Sequence, residues 1–272
     1  MRKYNKFLLL NLLIIILIIN GCKKEENKEF TDTPIIESYL EPGGYLNVTV
    51  RRQIPFSSNV VYADDDINNL DIKVTFNNST YQLTPSGNGK YIDSSKVVAE
   101  GDNYNLSFSF NSKNVKAYTY IPSKPVNMAQ SVTEIDIQKM DSASGPPNQG
   151  TMPDPVKITW DNFDASYYLL VVENMETTLI PIRSFGGKEP PGHRFRKSPT
   201  NLTSEEIRDM DFQYYGQHRL ILYHVLPDYA ALYKDNSTSS QNLTNPSTSI
   251  TNGYGIFTGL NSDTLYLNVK QQ

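Results

Sequence analysis

The sequence predicts an all-β fold: two antiparallel β-sandwich domains in a row, with short helical insertions in the second. Apolar and polar residues alternate along many short segments, as in Leu46-Asn47-Val48-Thr49-Val50, which is the pattern of a strand with one buried face. Turn-forming residues end these segments after a few positions, and no long stretch has the period of an amphipathic helix. The chain has 272 residues, and domains of about 100–200 residues are typical, so two domains are expected.

The N-terminal residues 1–21 have the composition of an export signal. A basic head with Arg2, Lys3 and Lys6 precedes an apolar run from Phe7 to Ile19. This run is shorter than the ~20 residues that an apolar helix needs to cross a bilayer, which favours a cleaved signal peptide. The alternative is an uncleaved signal anchor with an incidental cysteine after it.

Cys22 is the only cysteine of the chain, and it directly follows this segment. Ile19-Asn20-Gly21-Cys22 resembles the bacterial lipobox. The resemblance implies that the Cys22 thiol receives a diacylglycerol and that Cys22 becomes the first residue of the mature chain. Several acyl chains hold a protein firmly on a membrane, whereas one chain holds it only marginally. A single cysteine also excludes a disulfide framework and a zinc site built from cysteines.

Residues 22–33 are predicted to form a lipidated, flexible tether, because charged residues dominate them and little in them can pack. Their start resembles the signal that sends Bacteroidota lipoproteins across the outer membrane, which is a lysine followed by two acids. The residues concerned are Lys23, Lys24, Glu25 and Glu26. The alternative is a generic solvated tether.

Residues 34–122 are predicted to form the first sandwich, an immunoglobulin- or prealbumin-like arrangement of about seven short strands. The expected strands are Ile35–Leu40, Leu46–Val50, Leu70–Phe76, Thr80–Leu83, Lys90–Asp93, Asn105–Phe110 and Val115–Ile121. Turns are predicted at Pro42-Gly43-Gly44, Asn77-Asn78 and Pro85–Gly89. Pro122 and Pro125 then mark a short, stiff linker, because proline cannot donate to a strand ladder.

Residues 126–272 are predicted to form the second sandwich. Alternation at Thr133, Ile135 and Ile137 begins it, and after a loop over residues 142–153 another strand ends at Trp160. The apolar strand Tyr167–Val172 follows. A tryptophan at the end of one strand, before a tyrosine-led strand, resembles the second and third strands of a fibronectin type III sandwich. The resemblance implies that Trp160 lies in the core; the alternative is a ligand platform.

Two short helices are predicted as insertions in this second sandwich. Thr203-Ser204-Glu205-Glu206 resembles a capping box, which predicts a helix that ends near Met210. Pro227-Asp228 is predicted to open another helix, which carries Tyr229 and Tyr233. The remaining segments are a buried strand at His218–Leu226, a polar loop at Asn236–Asn252 and a last strand with Leu265, Leu267 and Val269.

No catalytic, cofactor or metal site is predicted. His218 and His224 lie on one face of one strand, about 20 Å apart at ~3.3 Å per residue, and His193 lies in a loop. The sequence has no Gly-x-Ser-x-Gly, His-Glu-x-x-His or phosphate-binding glycine motif. The run Asp64-Asp65-Asp66 lacks the ligand spacing of a calcium loop and is interpreted as a solvated acidic turn. The protein is therefore not expected to be an enzyme.

The segment Gly186–Lys197 is a candidate binding loop, since long loops on rigid sandwiches often carry function. It concentrates cations, an aromatic residue and a histidine in an otherwise acidic protein: Lys188, His193, Arg194, Phe195, Arg196 and Lys197. These side chains could bind an anionic group or a partner protein. The alternative is that the segment is only a mobile, solvated connection. The 18 tyrosines exceed what a core requires, but tyrosine suits sugar stacking and protein interfaces alike.

Two triplets resemble the O-glycosylation site of Bacteroidota, an aspartate followed by a serine or threonine and then a small or apolar residue. They are Asp141-Ser142-Ala143 and Asp263-Thr264-Leu265. The resemblance implies modification at Ser142 and Thr264. Ser142 lies in a predicted loop and is the better acceptor of the two, because Thr264 begins a strand.

The charge balance argues against a nucleic-acid partner. The whole chain has a formal charge of −4, and residues 1–21 contain three basic residues and no acid. Without them, 22 basic residues face 29 acidic ones, a formal charge of −7. Nucleic-acid binding depends on a basic patch or tract, which the sequence does not have.

Short motifs follow one another along most of the mature chain. The motifs are Pro34–Leu40, Val48–Arg51, Ile54–Phe56, Gly89–Tyr91, Gly101–Leu106, Asp228-Tyr229, Asn245-Pro246 and Asn252–Phe257. Their order and spacing resemble family 4249 of the domains of unknown function, which is made of Bacteroidota lipoproteins. The resemblance implies a fold and a membrane location and transfers no catalytic residue. Its members are often encoded beside TonB-dependent outer-membrane transporters, which implies a class of partner.

These observations together predict a lipid-anchored outer-membrane protein that faces the cell surface. The expected role is that of a binding or accessory subunit, with membrane lipid bound through acylated Cys22 and a TonB-dependent transporter as protein partner in nutrient uptake. A surface adhesin or scaffolding lipoprotein is the alternative. A surface hydrolase ranks third, because acid–base pairs can lie in loops whose placement a sequence does not reveal.

Overall fold

The computed structural model describes residues 32–53, 65–141, 153–184, 192–234 and 248–272. Strands dominate these residues, and the predicted all-β sandwich architecture is confirmed. The N-terminal part contains β1 (Pro34–Leu40), β2 (Tyr45–Arg52), β3 (Lys73–Phe76), β4 (Ser79–Gln82), β5 (Thr84–Gly87), β6 (Lys90–Val97), β7 (Asn103–Phe110) and β8 (Lys113–Tyr120). A single helical turn, α1 (Asp65–Asn68), precedes β3.

The C-terminal part contains ten further strands and two short helical elements within the described residues. The strands are β9 (Val126–Gln130), β10 (Glu134–Ile137), β11 (Met140–Asp141), β12 (Val156–Asp161), β13 (Tyr167–Asn174), β14 (Arg183–Ser184), β15 (Arg194–Arg196), β16 (Ser204–Ile207), β17 (Gly216–Val225) and β18 (Tyr254–Gln271). The helical elements are a 3-10 turn (Asp209–Asp211) and α2 (Pro227–Lys234). None of the described helices is long and apolar enough to span a bilayer.

The largest sheet has nine strands in the order β15-β13-β17-β18-β1-β2-β6-β5, with β10 also paired to β18. A four-stranded sheet, β4-β3-β7-β8, covers one end of it, and a three-stranded sheet, β16-β12-β9, covers the other. The first core includes Val48, Leu106 and Phe108. The second core includes Trp160 and Leu222. Each smaller sheet packs its apolar face against the large sheet, so the molecule contains two sandwiches, each with its own core.

The last strand, β18, belongs to both halves of the molecule. Residues 254–259 run parallel to β1, with Ile35 opposite Tyr254 and Leu40 opposite Gly259. Residues 260–269 then pair antiparallel with β17. Phe257 is buried in the first core, whereas Leu267 is buried in the second. The described residues between Asp32 and Gln272 therefore form one compact unit.

Several local expectations differ from the structure. The capping-box helix predicted from Thr203 to Met210 is wrong, because Ser204–Ile207 forms β16 and pairs antiparallel with β12. Ile207 is fully buried in the second core, and this burial outweighs the helix-capping preference of the preceding residues. The 3-10 turn at Asp209–Asp211 is the only helical part of that segment.

The connections also contain more order than their composition predicts. Arg194–Arg196, predicted as loop, forms the edge strand β15 against β13. Ile250 and Thr251, predicted within a polar loop, are ordered, since Ile250 is buried in the first core and Thr251 bridges to Lys116. The sheets are not purely antiparallel, because β18 pairs in parallel with β1 and β10, and β11 pairs in parallel with β14.

Candidate functional site

A cleft of about 530 Å³ opens on the face of the nine-stranded sheet that points away from the second core. Its lining residues are Tyr39, Glu41, Leu169, Val171, Arg194, Phe195, Arg196, Tyr223, Val225, Tyr229 and Leu260. We refer to this group of residues as the tyrosine cleft. Its volume falls in the range of about 300–1,000 Å³ that is typical of small-molecule sites.

The floor of the tyrosine cleft is apolar because β13 and β17 carry apolar residues on both faces. Leu169 lies opposite Tyr223 across these two strands, and Val225 lies opposite Leu260 across β17 and β18. Leu169, Val171, Val225 and Leu260 are all buried and form one cluster. A continuous apolar run is typical of a strand that is covered on both sides, and here α2 covers only part of the second side.

The wall of the cleft is built by tyrosines from α2 and β1. Tyr229 and Tyr233 are four residues apart on α2 and therefore lie on the same face, with ring centroids 5.9 Å apart. Tyr39 extends from β1 and is 37% exposed. Its ring meets Tyr229 edge to face at 6.0 Å, which is a favourable geometry for an aromatic pair.

Asp228 fixes α2 against the sheet. Its carboxylate accepts hydrogen bonds from the Thr258 hydroxyl at 3.0 Å and from the Ser249 hydroxyl at 3.3 Å. Thr258 belongs to β18 and is fully buried. The position of Tyr229, the next residue along the helix, is therefore set by the strand that both halves of the molecule share.

The rim of the cleft carries two arginines on the edge strand β15. Arg194 and Arg196 are two residues apart and project to the cleft side, whereas Phe195 between them packs its ring 6.3 Å from that of Phe212. The Arg196 guanidinium lies over the Tyr233 ring at 5.4 Å. Among the described residues, no acidic oxygen lies within 4.0 Å of either guanidinium, in contrast to Arg219, which pairs with Glu173.

Burial shapes the electrostatics of the tyrosine cleft. Desolvation raises the pKa values of Tyr39, Tyr223 and Tyr229, and the neighbouring Tyr233 raises that of Tyr229 further. These phenols are therefore protonated at neutral pH and available as hydrogen-bond donors. Desolvation also raises the pKa of Glu41, and the nearby Arg194 charge opposes that shift.

The structure brings three of the predicted binding-loop residues together, namely Arg194, Phe195 and Arg196. Lys197 donates a hydrogen bond to Asp211 at 2.7 Å, and His193 lines a separate, shallower recess beside Glu173. Lys188 lies outside the described residues, as do Cys22, Lys23, Lys24, Glu25, Glu26 and Ser142. Thr264 is half-buried in β18, opposite Ile221, and its modification stays a prediction.

The two strand histidines have structural partners. His218 contacts the Gly216 carbonyl oxygen at 3.0 Å and the Asn174 side-chain amide at 3.3 Å. His224 contacts the Ser123 carbonyl oxygen at 2.8 Å and stacks on Tyr168. No group of three or more potential metal ligands occurs among the residues that the structure describes. Asp64 and the side chains of Asp65 and Asp66 lie outside that part.

The residues that complete the site were not among those predicted from the sequence. Tyr39, Glu41 and Tyr223 come from three separate segments, and no local motif links them. One available signal was the unbroken apolar run at Leu169–Val172, which indicates a strand with two covered faces. The other was the pair of tyrosines at helical spacing on α2.

Comparison with protein families identifies the family of this chain. The family described as Domain of unknown function (DUF4249) matches residues 23–265. The chain belongs to this family. The match to DUF4249 includes every residue that lines the tyrosine cleft. No curated protein matches the chain.

Proposed function

We propose that this DUF4249 protein is a lipid-anchored binding subunit of the outer membrane, exposed on the cell surface. In this role it captures a ligand in the tyrosine cleft and passes it to a TonB-dependent transporter. The anchor is supported by the lipobox-like Ile19–Cys22 and the surface location by the charged residues Lys23–Glu26. The transporter is supported only by the resemblance of the chain to proteins encoded beside such transporters.

The observation that carries the binding role is the composition of the tyrosine cleft. A concave site with an apolar floor, aromatic walls and a few polar groups is what small-molecule binding requires. Its charged groups, Arg194, Arg196 and Glu41, stand at the rim. Its floor comes from strands of one continuous sheet, and Asp228 holds α2 to that sheet, so the site is held on rigid elements.

The test is capture of the lipidated protein from detergent-solubilised outer membranes. We expect a TonB-dependent transporter to co-purify in a stoichiometric amount with the wild-type protein. Because Cys22→Ser is expected to keep the protein from reaching the outer membrane in its lipidated form, that variant serves as the matched control and is expected to recover none. Recovery of the wild-type protein without any transporter contradicts the accessory role.

A surface adhesin or scaffold is the second candidate, and one observation favours it. The β12–β13 and β15–β16 connections expose two large apolar side chains, Phe163 at 91% and Leu202 at 61%. The Asn162 side-chain amide donates hydrogen bonds to the Asn201 and Ser166 carbonyl oxygens at 2.9 and 3.0 Å, which holds these connections together. Exposed apolar side chains in one region are typical of protein contacts. If Phe163→Ser abolishes cell adhesion while cleft variants retain it, the adhesin role is favoured.

A further inference from the structure

We propose that the tyrosine cleft binds a ring-bearing carboxylate, with the ring over the apolar floor and the carboxylate at Arg194 and Arg196. This inference rests on the proposed binding function and adds the chemical class of the ligand. Three features of the cleft carry it: the arginine pair, the apolar floor and the arrangement of the phenol rings.

The arginine pair indicates an anion. Both guanidinium groups face the cleft from alternate positions of β15. Among the described residues neither has an acidic oxygen within 4.0 Å, as is also the case for Arg208 outside the cleft, whereas Arg51, Arg52, Arg183 and Arg219 each have one. A guanidinium presents its N–H groups in a planar fork that matches a carboxylate. The Arg196 guanidinium lies over the Tyr233 ring at 5.4 Å, a cation–π contact that does not use its N–H donors.

The apolar floor argues against a small inorganic anion as the ligand. Val171 lies opposite Arg196 on the neighbouring strand. Leu169, Val225 and Leu260 continue the apolar floor across β13, β17 and β18, and a hydrated ion would leave this surface in contact with water. An organic body that covers the floor removes this apolar surface from water, which favours its binding. The ligand is therefore an anion attached to a body with apolar faces.

The phenol rings indicate that this body is a ring. Tyr39 and Tyr229 present an edge-to-face pair, against which the face of a sugar or of an aromatic ring can pack. The phenols are protonated, so they can donate to ring oxygens or hydroxyls, and the Glu41 carboxylate, which lies near Arg194, can accept from a hydroxyl. A sugar acid and a hydroxylated aryl carboxylate share this chemistry.

The experiment is isothermal titration of the full-length mature lipoprotein in detergent with two matched pairs of probes. The first pair is a glucuronic-acid disaccharide and its neutral glucose counterpart. The second pair is 4-hydroxybenzoate and 4-hydroxybenzyl alcohol. In at least one pair we expect the carboxylate to bind about tenfold or more tightly than its neutral partner, as one charged hydrogen-bonding contact allows.

Two variants locate the binding. Arg196→Gln is expected to remove the preference for the carboxylate, and Arg208→Gln, which removes an exposed arginine outside the cleft, is expected to keep it. Preference in the saccharide pair identifies a sugar acid, and preference in the aryl pair identifies an aryl acid; either supports the inference. Circular dichroism spectra of both variants establish that they remain folded.

Two results overturn the inference. If a neutral probe binds as tightly as its carboxylate partner and Tyr229→Ala abolishes both, the cleft is a binding site but the ligand class is wrong. If none of the four probes binds, the ligand class is also wrong. The proposed function is tested separately by the transporter capture, so the two can fail independently.

Discussion

Individual aromatic residues carry much of the stability of the second core. Trp160 is 3% exposed, and its ring lies 5.6 Å from that of Tyr168. Tyr168 in turn stacks on His224, which reaches the Ser123 carbonyl oxygen in the linker. A single stack therefore connects the core of the C-terminal half to the segment between the two halves.

Truncation of Trp160 tests this position. Trp160→Ala is expected to lower the free energy of unfolding by about 3–5 kcal/mol, as for a large buried aromatic residue. The measurement is urea unfolding followed by circular dichroism. Phe163→Ala, at an exposed site, is the control and is expected to change stability by less than about 0.5 kcal/mol. A loss below about 1 kcal/mol for Trp160→Ala contradicts a core role.

His218 gives the protein a dependence of stability on pH. Burial lowers the pKa of its imidazole, although the Gly216 carbonyl and Glu176 oppose the shift. The unfolded chain therefore takes up a proton that the folded chain excludes. This contribution to stability is fully present at pH values above about 6.5, the pKa of His218 in the unfolded chain. It is lost as the pH falls from there toward the lower pKa that His218 has in the folded chain.

The corresponding prediction compares the slopes of stability against pH. Between about pH 7.5 and pH 5, His218→Gln is expected to lose less unfolding free energy than the wild-type protein. His193→Gln, which changes an exposed histidine, is expected to follow the wild-type slope. The unfolding free energy is measured by denaturant titration at each pH. Equal slopes of this free energy against pH for the wild type and His218→Gln would show that His218 is not the source of the pH dependence.

At the level of elements, β18 is the strand on which the architecture depends. At Gly259 it passes so close to β8 that a Cβ atom would overlap the carbonyl oxygen of Tyr120. The Gly259 amide donates to the Thr119 hydroxyl at 2.8 Å. This crossing lies between the residues that serve the first core and those that serve the second.

Gly259→Ala tests this close approach. Because the added methyl group meets backbone rather than a flexible side chain, β18 and β8 must separate, and we expect a loss of more than about 2 kcal/mol in unfolding free energy. Gly101→Ala is the comparison, since Gly101 has a positive φ of 79° but open space around it. It should cost only the strain of the left-handed backbone, about 1–2 kcal/mol. A smaller loss at Gly259 than at Gly101 contradicts the argument.

The elements that were predicted correctly are those in which apolar and polar residues clearly alternate with a period of two. The strands with Val48, Leu106 and Ile158 are present as expected, and Asn77 and Asn78 both have the positive φ values that a tight hairpin needs. Segment 204–207 was misassigned because a local capping pattern competes with pairing to β12, which is distant in sequence. The parallel pairing of β1 with β18 was not predicted, because alternation fixes which face is buried and not which strand is the neighbour.

The candidate site was predictable only in part for the same reason. Arg194, Phe195 and Arg196 stood out by composition within one segment. Tyr39 and Tyr223 were two tyrosines among many, and only the order of β17, β18 and β1 in the sheet brings them to one cleft. A site assembled across strands requires the topology before its members can be named.

At the level of the whole molecule, the expected location depends on the N-terminal segment. Cys22→Ser removes the thiol that lipidation requires. We expect this variant to be released from the membrane or to accumulate as an unprocessed precursor in cell fractionation. Firm membrane association of a fully processed Cys22→Ser protein is incompatible with a lipid anchor.

The charged tether provides a separate test of surface exposure. Replacement of Lys23, Lys24, Glu25 and Glu26 by alanine should leave lipidation at Cys22 intact and strand the protein on the periplasmic side. Antibody labelling of intact cells compares this variant with the wild type. If both are labelled equally, these four residues do not specify export. If neither is labelled, the proposed surface location is wrong.

The parallel pairing of β1 with β18 also determines how the protein bears mechanical load. A pull through Asp32 in one direction and through Gln271 in the other acts at opposite ends of two strands that run the same way. All hydrogen bonds between Ile35–Leu40 and residues 254–259 are then loaded together in shear. Antiparallel strands pulled in this manner would be peeled apart one bond at a time. Resistance to such a load is governed by the unfolding rate, so a protein held by its N-terminus and drawn outward by its far end is pulled along the strongest direction of this sheet.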